Sequence, residues 1–184
     1  GQRQPFRAVM SPMFVFTAPT RRYRAARRLP SAPPCENRRI GERADIDVRA
    51  TIAAQLRGEA PPAPGEELIG LRFVAWGDRE STWELEAGAC HHNPTGVVQG
   101  GILCSLADVA MATAFASTLE PGETFTTLEL KINYLRPVVE DTIRAVGRVV
   151  HRGRRTAMLE AAIVDSSDRE VARASSTVMV LSRA

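Results

Sequence analysis

The first residue of this sequence that could do chemistry is a single acid in an otherwise apolar helical run. Asp108 lies among Ile102, Leu103, Leu106, Val109, Ala110 and Met111. That spacing predicts one helix from Gly100 to about Ser117, dense in alanine and closed by Pro121-Gly122. A carboxylate buried there needs hydrogen-bonding partners or a shifted pKa, because desolvation penalises its charged form. Two turns earlier the run begins at Gly100-Gly101, where free backbone N–H groups and the positive end of the helix dipole favour negative charge. Glycine at that point lets a ligand approach the backbone closely. An acid, plus a helix N-terminus able to hold a carbonyl oxygen as it becomes an oxyanion, is the minimum apparatus for acyl transfer to water. An aspartate exposed on one helix flank, with Gly-Gly serving only as a turn, accounts for the same residues equally well.

Other reactive side chains carry less. Cys90-His91-His92 invites a metal reading, but adjacent residues seldom all reach one ion and no second cluster has zinc-like spacing, so no metal is expected. Cys104 and Ser105 fall inside the predicted helix, outside any Gly-x-Ser-x-Gly elbow, and Cys104 reads as core packing or a thiol near the pocket. Arg152, Arg154 and Arg155 sit at a predicted hairpin tip. They could fork onto phosphates, and a solvated turn explains them as well. Arg136, just before Pro137, contacts a nucleotide or simply ends a strand. Trp76 and Trp83 flank the turn of a first hairpin and read as packing.

The elements that must position these groups follow from periodicity. Ile46, Val48, Ile52, Ala53 and Leu56 recur at helical spacing and predict a lead helix over 45–59, ended by Gly58, Pro61 and Pro62. Strands are predicted at 68–76 and 82–87, as a hairpin around Gly77 to Ser81. After the long helix, 126–135 alternates, with Leu128, Leu130, Ile132 and Tyr134 on a core face opposite Thr127, Glu129, Lys131 and Asn133. Segments 142–151 and 156–164 form a second hairpin, and 165–168 turns into a last strand over 170–181. A hairpin, one long helix and then consecutive strands predict an α+β domain whose antiparallel sheet buries a single helix. Ala107, Ala110, Ala112, Ala114 and Ala116 would let that sheet close tightly.

Composition bounds the rest. The length of 184 residues fits one globular domain plus an appendage. Residues 1–40 hold nine arginines against Glu36 alone, a net +8 that leaves −5 on residues 41–184 from a total of +3. The basic character therefore belongs to the tail, which weakens a nucleic-acid role for the folded part. Residues 1–40 are expected to be a basic extension, disordered or not native to the domain, and residues 41–184 the domain with its lead helix. An Arg-rich, acid-poor tail also resembles a mitochondrial transit peptide, so the expected location is cytoplasmic, or mitochondrial if the tail is one. Cys35, Cys90 and Cys104 are odd in number and lack CxxC spacing, which predicts free thiols in a reducing compartment. No run of 18 apolar residues suggests a membrane span.

One combined pattern goes further. Asn93-x-x-Gly96-x-x-Gln99-Gly100-Gly101, with Asp108 seven residues on and Thr127-Leu-Glu-Leu-Lys-Ile-Asn-Tyr-Leu-Arg-Pro137 following, resembles the hotdog-fold thioesterases of the phenylacetate-degradation type, over about residues 68–181. The resemblance implies a curved antiparallel sheet around one helix. It also implies a homodimer joined sheet edge to sheet edge, assembling further to a tetramer, with active sites shared across the dimer interface. The implied reaction is hydrolysis of an acyl-CoA to free acid and thiol, with no cofactor beyond the coenzyme A of the substrate. Asp108 would be the base or nucleophile, Gly100 N–H the oxyanion donor beside Gly101, Asn93 an aid to positioning water or thioester, and Thr127 a hydrogen-bond partner of the acid. Gln99 stands where the family usually has His, which removes a titrating imidazole and leaves a side chain that can still orient a substrate. Two alternatives keep the fold. One is a non-catalytic acyl-CoA-binding protein, favoured by Gln99, although a DNA-linked sensor would need a helix-turn-helix that the tail lacks. The other is an enoyl-thioester hydratase, whose distinct Asp/His motif is missing here.

Overall fold

The computed structural model describes residues 47–182. The expectations for residues 1–40, for Cys35 and for the first residues of the lead helix fall outside that range. Helix α1 (Val48–Leu56) starts where the Asp47 carboxylate accepts the Ala50 N–H at 3.0 Å. Val48 and Ile52 pack half-buried against the core while Leu56 is exposed, so its apolar face is only partly covered.

The first predicted strand needs correction. Leu68 and Ile69 belong to a second short helix, α2 (Pro64–Ile69). Pro64 is preset for the first helical position, the Glu66 carboxylate accepts the Ala63 N–H at 2.8 Å, and Gly70 ends the helix in the left-handed conformation at φ 80°. Strand β1 (Leu71–Gly77) therefore begins after Gly70 and turns at Asp78-Arg79 into β2 (Glu80–Ala87).

A single 3₁₀ turn (Ala89–His91) and a loop lead to the long helix α3 (Gly100–Ala116), as predicted. Its last carbonyls are met by hydroxyls: Ser117 donates to Ala114 O at 2.7 Å and Thr118 to Phe115 O at 2.8 Å. Strands β3 (Glu123–Tyr134), β4 (Asp141–Arg152), β5 (Thr156–Val164) and β6 (Glu170–Ser182) complete the chain. All six strands form one antiparallel sheet in the order β1-β2-β4-β5-β6-β3.

Helix α3 supplies the inner layer. Leu106, Ala107, Ala110, Met111, Ala114 and Phe115 are buried against Trp83, Leu85, Ile143, Leu159, Ile163 and Val178 from the sheet. The small helix residues matter most where β2 and β4 cross it. There Ser81 and Gly147 lie opposite each other, and Ser81 Oγ donates to Ala110 O at 2.6 Å. This is the sheet wrapped on one helix that the element order implies.

Strand β3 departs from its expected alternation. A bulge between Thr127 and Glu129 resets the register, and β3 is an edge strand paired only with β6. Leu130 and Ile132 are half-buried, but Leu128 and Tyr134 are each 53% exposed. The face expected to be core is thus only partly core, because an edge strand lacks a second neighbour to carry it over the helix. No helix among the described residues is long and apolar enough to cross a membrane.

Candidate active site

The loop before α3 is fastened at several points. Gly88 N–H donates to His91 Nδ1 at 3.2 Å, which leaves Nε2 to donate to Ile69 O at 2.9 Å. His92 Nε2 donates to Val139 O at 2.7 Å, and Val98 N–H to Val138 O at 2.8 Å. The two histidines are therefore loop anchors, and no metal-binding group of His, Cys, Asp or Glu occurs among the described residues. Asn93 turns its own carboxamide oxygen back into the loop, accepting Thr95 N–H at 2.9 Å and Thr95 Oγ1–H at 2.7 Å. Gly96, at φ 80°, completes that turn.

This loop delivers the start of α3. Gln99 is the N-cap, exposed, with its side chain making no capping bond. Among the described residues no acceptor meets the N–H groups of Gly100 and Gly101, as expected for the first two positions of a helix. Beside Gly100 opens a cleft of about 380 Å³, with apolar walls at Val97, Val98, Leu103 and Pro137 and with Asn93, Tyr134 and Arg136 on its rim. Tyr134, which the sequence placed on the core face, instead folds over the helix start. Its hydroxyl donates to Gly100 O at 3.0 Å, and its ring lies where a Cβ on Gly100 would stand, 2.7 Å from Cζ. Only glycine fits under that ring in its present position.

Asp108 lies two turns down the same helix. Burial raises its pKa above the ordinary carboxylate range, and a hydrogen bond from Thr127 Oγ1, at 3.5 Å, pulls the other way. One turn before it, Cys104 is pushed up by burial and then by the Asp108 charge, so the thiol stays neutral and is a poor nucleophile. Ser105 Oγ donates to Gly101 O at 3.0 Å within the helix. The one acid on this helix is therefore a half-buried carboxyl whose pKa burial raises.

Of the arginines named from the sequence, Arg152 is committed elsewhere. A bulge between Val149 and His151 turns it inward, where it pairs with Glu123 at 2.8 Å and lies 5.3 Å over the Phe115 ring. It holds the far end of α3, its guanidinium engaged by Glu123 and the Phe115 ring and not exposed at the hairpin tip. Arg154 and Arg155 are exposed at the β4–β5 tip. Register places that tip near the start of β3, at the opposite end of the sheet from the Gly100 cleft. Arg136 is exposed on the rim of the cleft and donates to Glu170 O.

The structure thus brings together Thr127 with Asp108, and Tyr134 with Gly100, Asn93 and Arg136. It keeps the two groups apart. Eight residues of α-helix separate Gly100 from Asp108, about 12 Å at 1.5 Å per residue, too far for both to act on one carbonyl within a single chain.

Residues 95–172 match the family model described as the thioesterase superfamily. A 1,4-dihydroxy-2-naphthoyl-CoA hydrolase of Listeria monocytogenes is 27% identical over 115 residues, covering 62% of this chain and 94% of that one. Among solved structures, a conserved protein of Pseudomonas aeruginosa is 38% identical, covers 65% of this chain and 95% of its own, and superposes with a TM-score of 0.62. A phenylacetic acid degradation-related protein of Ralstonia eutropha is 30% identical over 70% of this chain and 98% of its own, with a TM-score of 0.65. With that likeness, the six-stranded sheet around α3 and the acid on that helix, the chain belongs to the hotdog-fold thioesterase superfamily and is a thioester hydrolase.

Proposed function

We propose that this chain hydrolyses an acyl-CoA thioester at a site built from two copies, with Gly100 and Asn93 of one copy facing Asp108 and Thr127 of the other. The observation that carries this reading is the separation of a helix start with free N–H groups and a half-buried acid on a single helix, together with a sheet edge left open beside both. Asp108 takes a proton from water, and the water oxygen adds to the thioester carbonyl carbon. The carbonyl oxygen becomes an oxyanion held by the Gly100 N–H, strengthened by the helix dipole. Collapse breaks the carbon–sulfur bond, and the proton on Asp108 passes to the departing coenzyme A sulfur, leaving free acid and thiol. Direct attack by the Asp108 carboxylate on the same carbon uses the same groups: the carbon–sulfur bond breaks to leave a mixed anhydride and the thiolate. Water then opens the anhydride to free acid and the regenerated carboxylate, its second proton going to the coenzyme A sulfur. The apolar walls of the cleft suit an acyl group, and the relatives named above include one that acts on a naphthoyl-CoA.

A panel of acyl-CoA esters with a thiol-release readout tests the reading. Turnover on at least one ester is expected. Tight ester binding without release on any member would favour the non-catalytic reading, for which the exposed Gln99 is the best argument.

The pH profile adds a second prediction. A base must be ionised, so the rate is lost as pH falls through the raised Asp108 pKa. Thr127 lowers that pKa, so Thr127→Ala is expected to move the acid limb of kcat to higher pH. A limb that stays in place would show that Thr127 does not act on the base.

A further inference from the structure

Helix α3 begins where its own sequence holds the backbone least. The Gln99 side chain makes no capping bond, and the first two helical residues are glycines, the residue type with the most backbone freedom to lose. Yet the hydrolysis proposed above needs the Gly100 N–H at one fixed point, because a donor stabilises an oxyanion best when it is already oriented for it. That N–H shares a peptide plane with Gln99 O, which accepts from Ile102 N–H at 2.9 Å, and Gln99 N–H donates to His91 O at 2.9 Å. These bonds fix the chain before Gly100. After it, Ser105 Oγ donates to Gly101 O at 3.0 Å. Rotation about the two backbone bonds of Gly100 itself is left to be limited from outside the helix.

Among the described residues, the one side chain bonded to Gly100 is that of Tyr134. We infer that Tyr134 is a positioning residue for hydrolysis: its hydroxyl, donating to Gly100 O at 3.0 Å, holds Gly100 in the conformation that presents its N–H to the thioester carbonyl. The inference rests on the oxyanion role proposed above for that N–H. The ring stands where a Cβ would be, with Cζ and the hydroxyl oxygen each 2.7 Å from that position, so it limits Gly100 in the space another residue would fill with its own side chain. The hydroxyl uses the second lone pair of the carbonyl, the helix bond using the first. Tyr134 is fixed at its backbone by pairing with Ala172 at the end of β3. Its side is 53% exposed, so packing alone does not pin the ring, and the hydroxyl bond does. The phenol keeps the proton it donates, because burial, and then the charge of Cys104, raise its pKa above the ordinary value.

Tyr134→Phe removes the hydroxyl and keeps the ring, and Tyr134→Ala removes both. Backbone ¹⁵N relaxation on the ligand-free, full-length chain reads the hold directly. The Gly100 amide is expected near the rigid order parameter of about 0.85 in the wild type and lower, toward about 0.6, in both variants, with the Gly147 amide unmoved as the control. Turnover is read on an acyl-CoA ester that the wild type hydrolyses, well below the thermal midpoints of all three chains, so that each is folded. Tyr134→Phe should lower kcat about tenfold at a KM within about twofold, since a loosened donor costs less than the roughly 10²–10³-fold of a deleted one. Tyr134→Ala should cost more. A Gly100 amide as ordered in both variants as in the wild type would overturn the inference and leave the role of Gly100 standing. A loosened amide with kcat unchanged would overturn it together with that role. A raised KM at unchanged kcat would make Tyr134 a binding contact instead, which also overturns it.

Discussion

Asp108→Asn is expected to lower thioester hydrolysis by about 10²–10⁴-fold while leaving ester binding in place. The carboxamide keeps the size of the side chain and can still accept from Thr127, so the change removes the proton acceptor and little else. The same variant should be more stable at neutral pH. Burial raises the Asp108 pKa in the folded chain, so the native state binds more protons than the unfolded state between the ordinary aspartate value and the raised one. Stability therefore falls as pH rises through that window. Above it, the folded chain carries the cost of an ionised, half-buried carboxylate, which Asn does not bear. Below it, Asp108 is protonated in both states and the difference should vanish. Turnover is read by thiol release and stability by thermal unfolding at pH 7 and at acid pH. Comparable turnover in wild type and variant would sink the assigned role, and a fall in Tm alongside lost activity would trace the loss to folding instead.

What the sequence made legible follows from how local each signal is. Asp108 and Gly100-Gly101 stood out because an acid inside an apolar helix and paired glycines at its start are both anomalies within one element, and the helix runs where the spacing placed it. The contact between Thr127 and Asp108 came only through family likeness, since nothing local links residues 19 apart on different elements. Tyr134 was seen as one more alternating apolar residue. Its place over Gly100 depends on β3 crossing to the far edge beside β6, and chain order does not give sheet order.

The residues whose partners lie far along the chain share that cause. His91 and His92 look like ligands in their own tripeptide, yet their partners Ile69 O and Val139 O are 22 and 47 residues away. Arg152 looked like part of a solvated tip until a bulge in β4 turned it toward Phe115 and Glu123. Helix α2 was lost for a different reason. Pro64 and Gly70 are sound start and stop signals, but six residues give too little periodicity to outweigh the apolar run that continues into β1.

Gly147→Ala is expected to be among the most damaging single substitutions in the domain, for a reason located in backbone rather than side chain. A Cβ at residue 147 would lie 2.3 Å from the carbonyl carbon and oxygen of Ala110 and 2.6 Å from the Met111 nitrogen. At Gly100 a Cβ would meet only the half-exposed Tyr134 ring, which can swing away. At Gly147 it would meet helix backbone that cannot, so β4 would have to lift off α3. That movement would also stretch the neighbouring bond from Ser81 Oγ to Ala110 O, now 2.6 Å. Overpacking of this kind costs about 3 kcal/mol, a large part of the stability of a domain this size. The effect should appear as a lower denaturant midpoint and as activity lost in step with the folded fraction. Gly77→Ala is the control, because a Cβ there meets nothing within 4 Å. If the two variants unfolded at the same midpoint, the close seat of β4 on α3 would be wrong. The placement of Gly100 and Asp108 that depends on that seat would then need to be rebuilt.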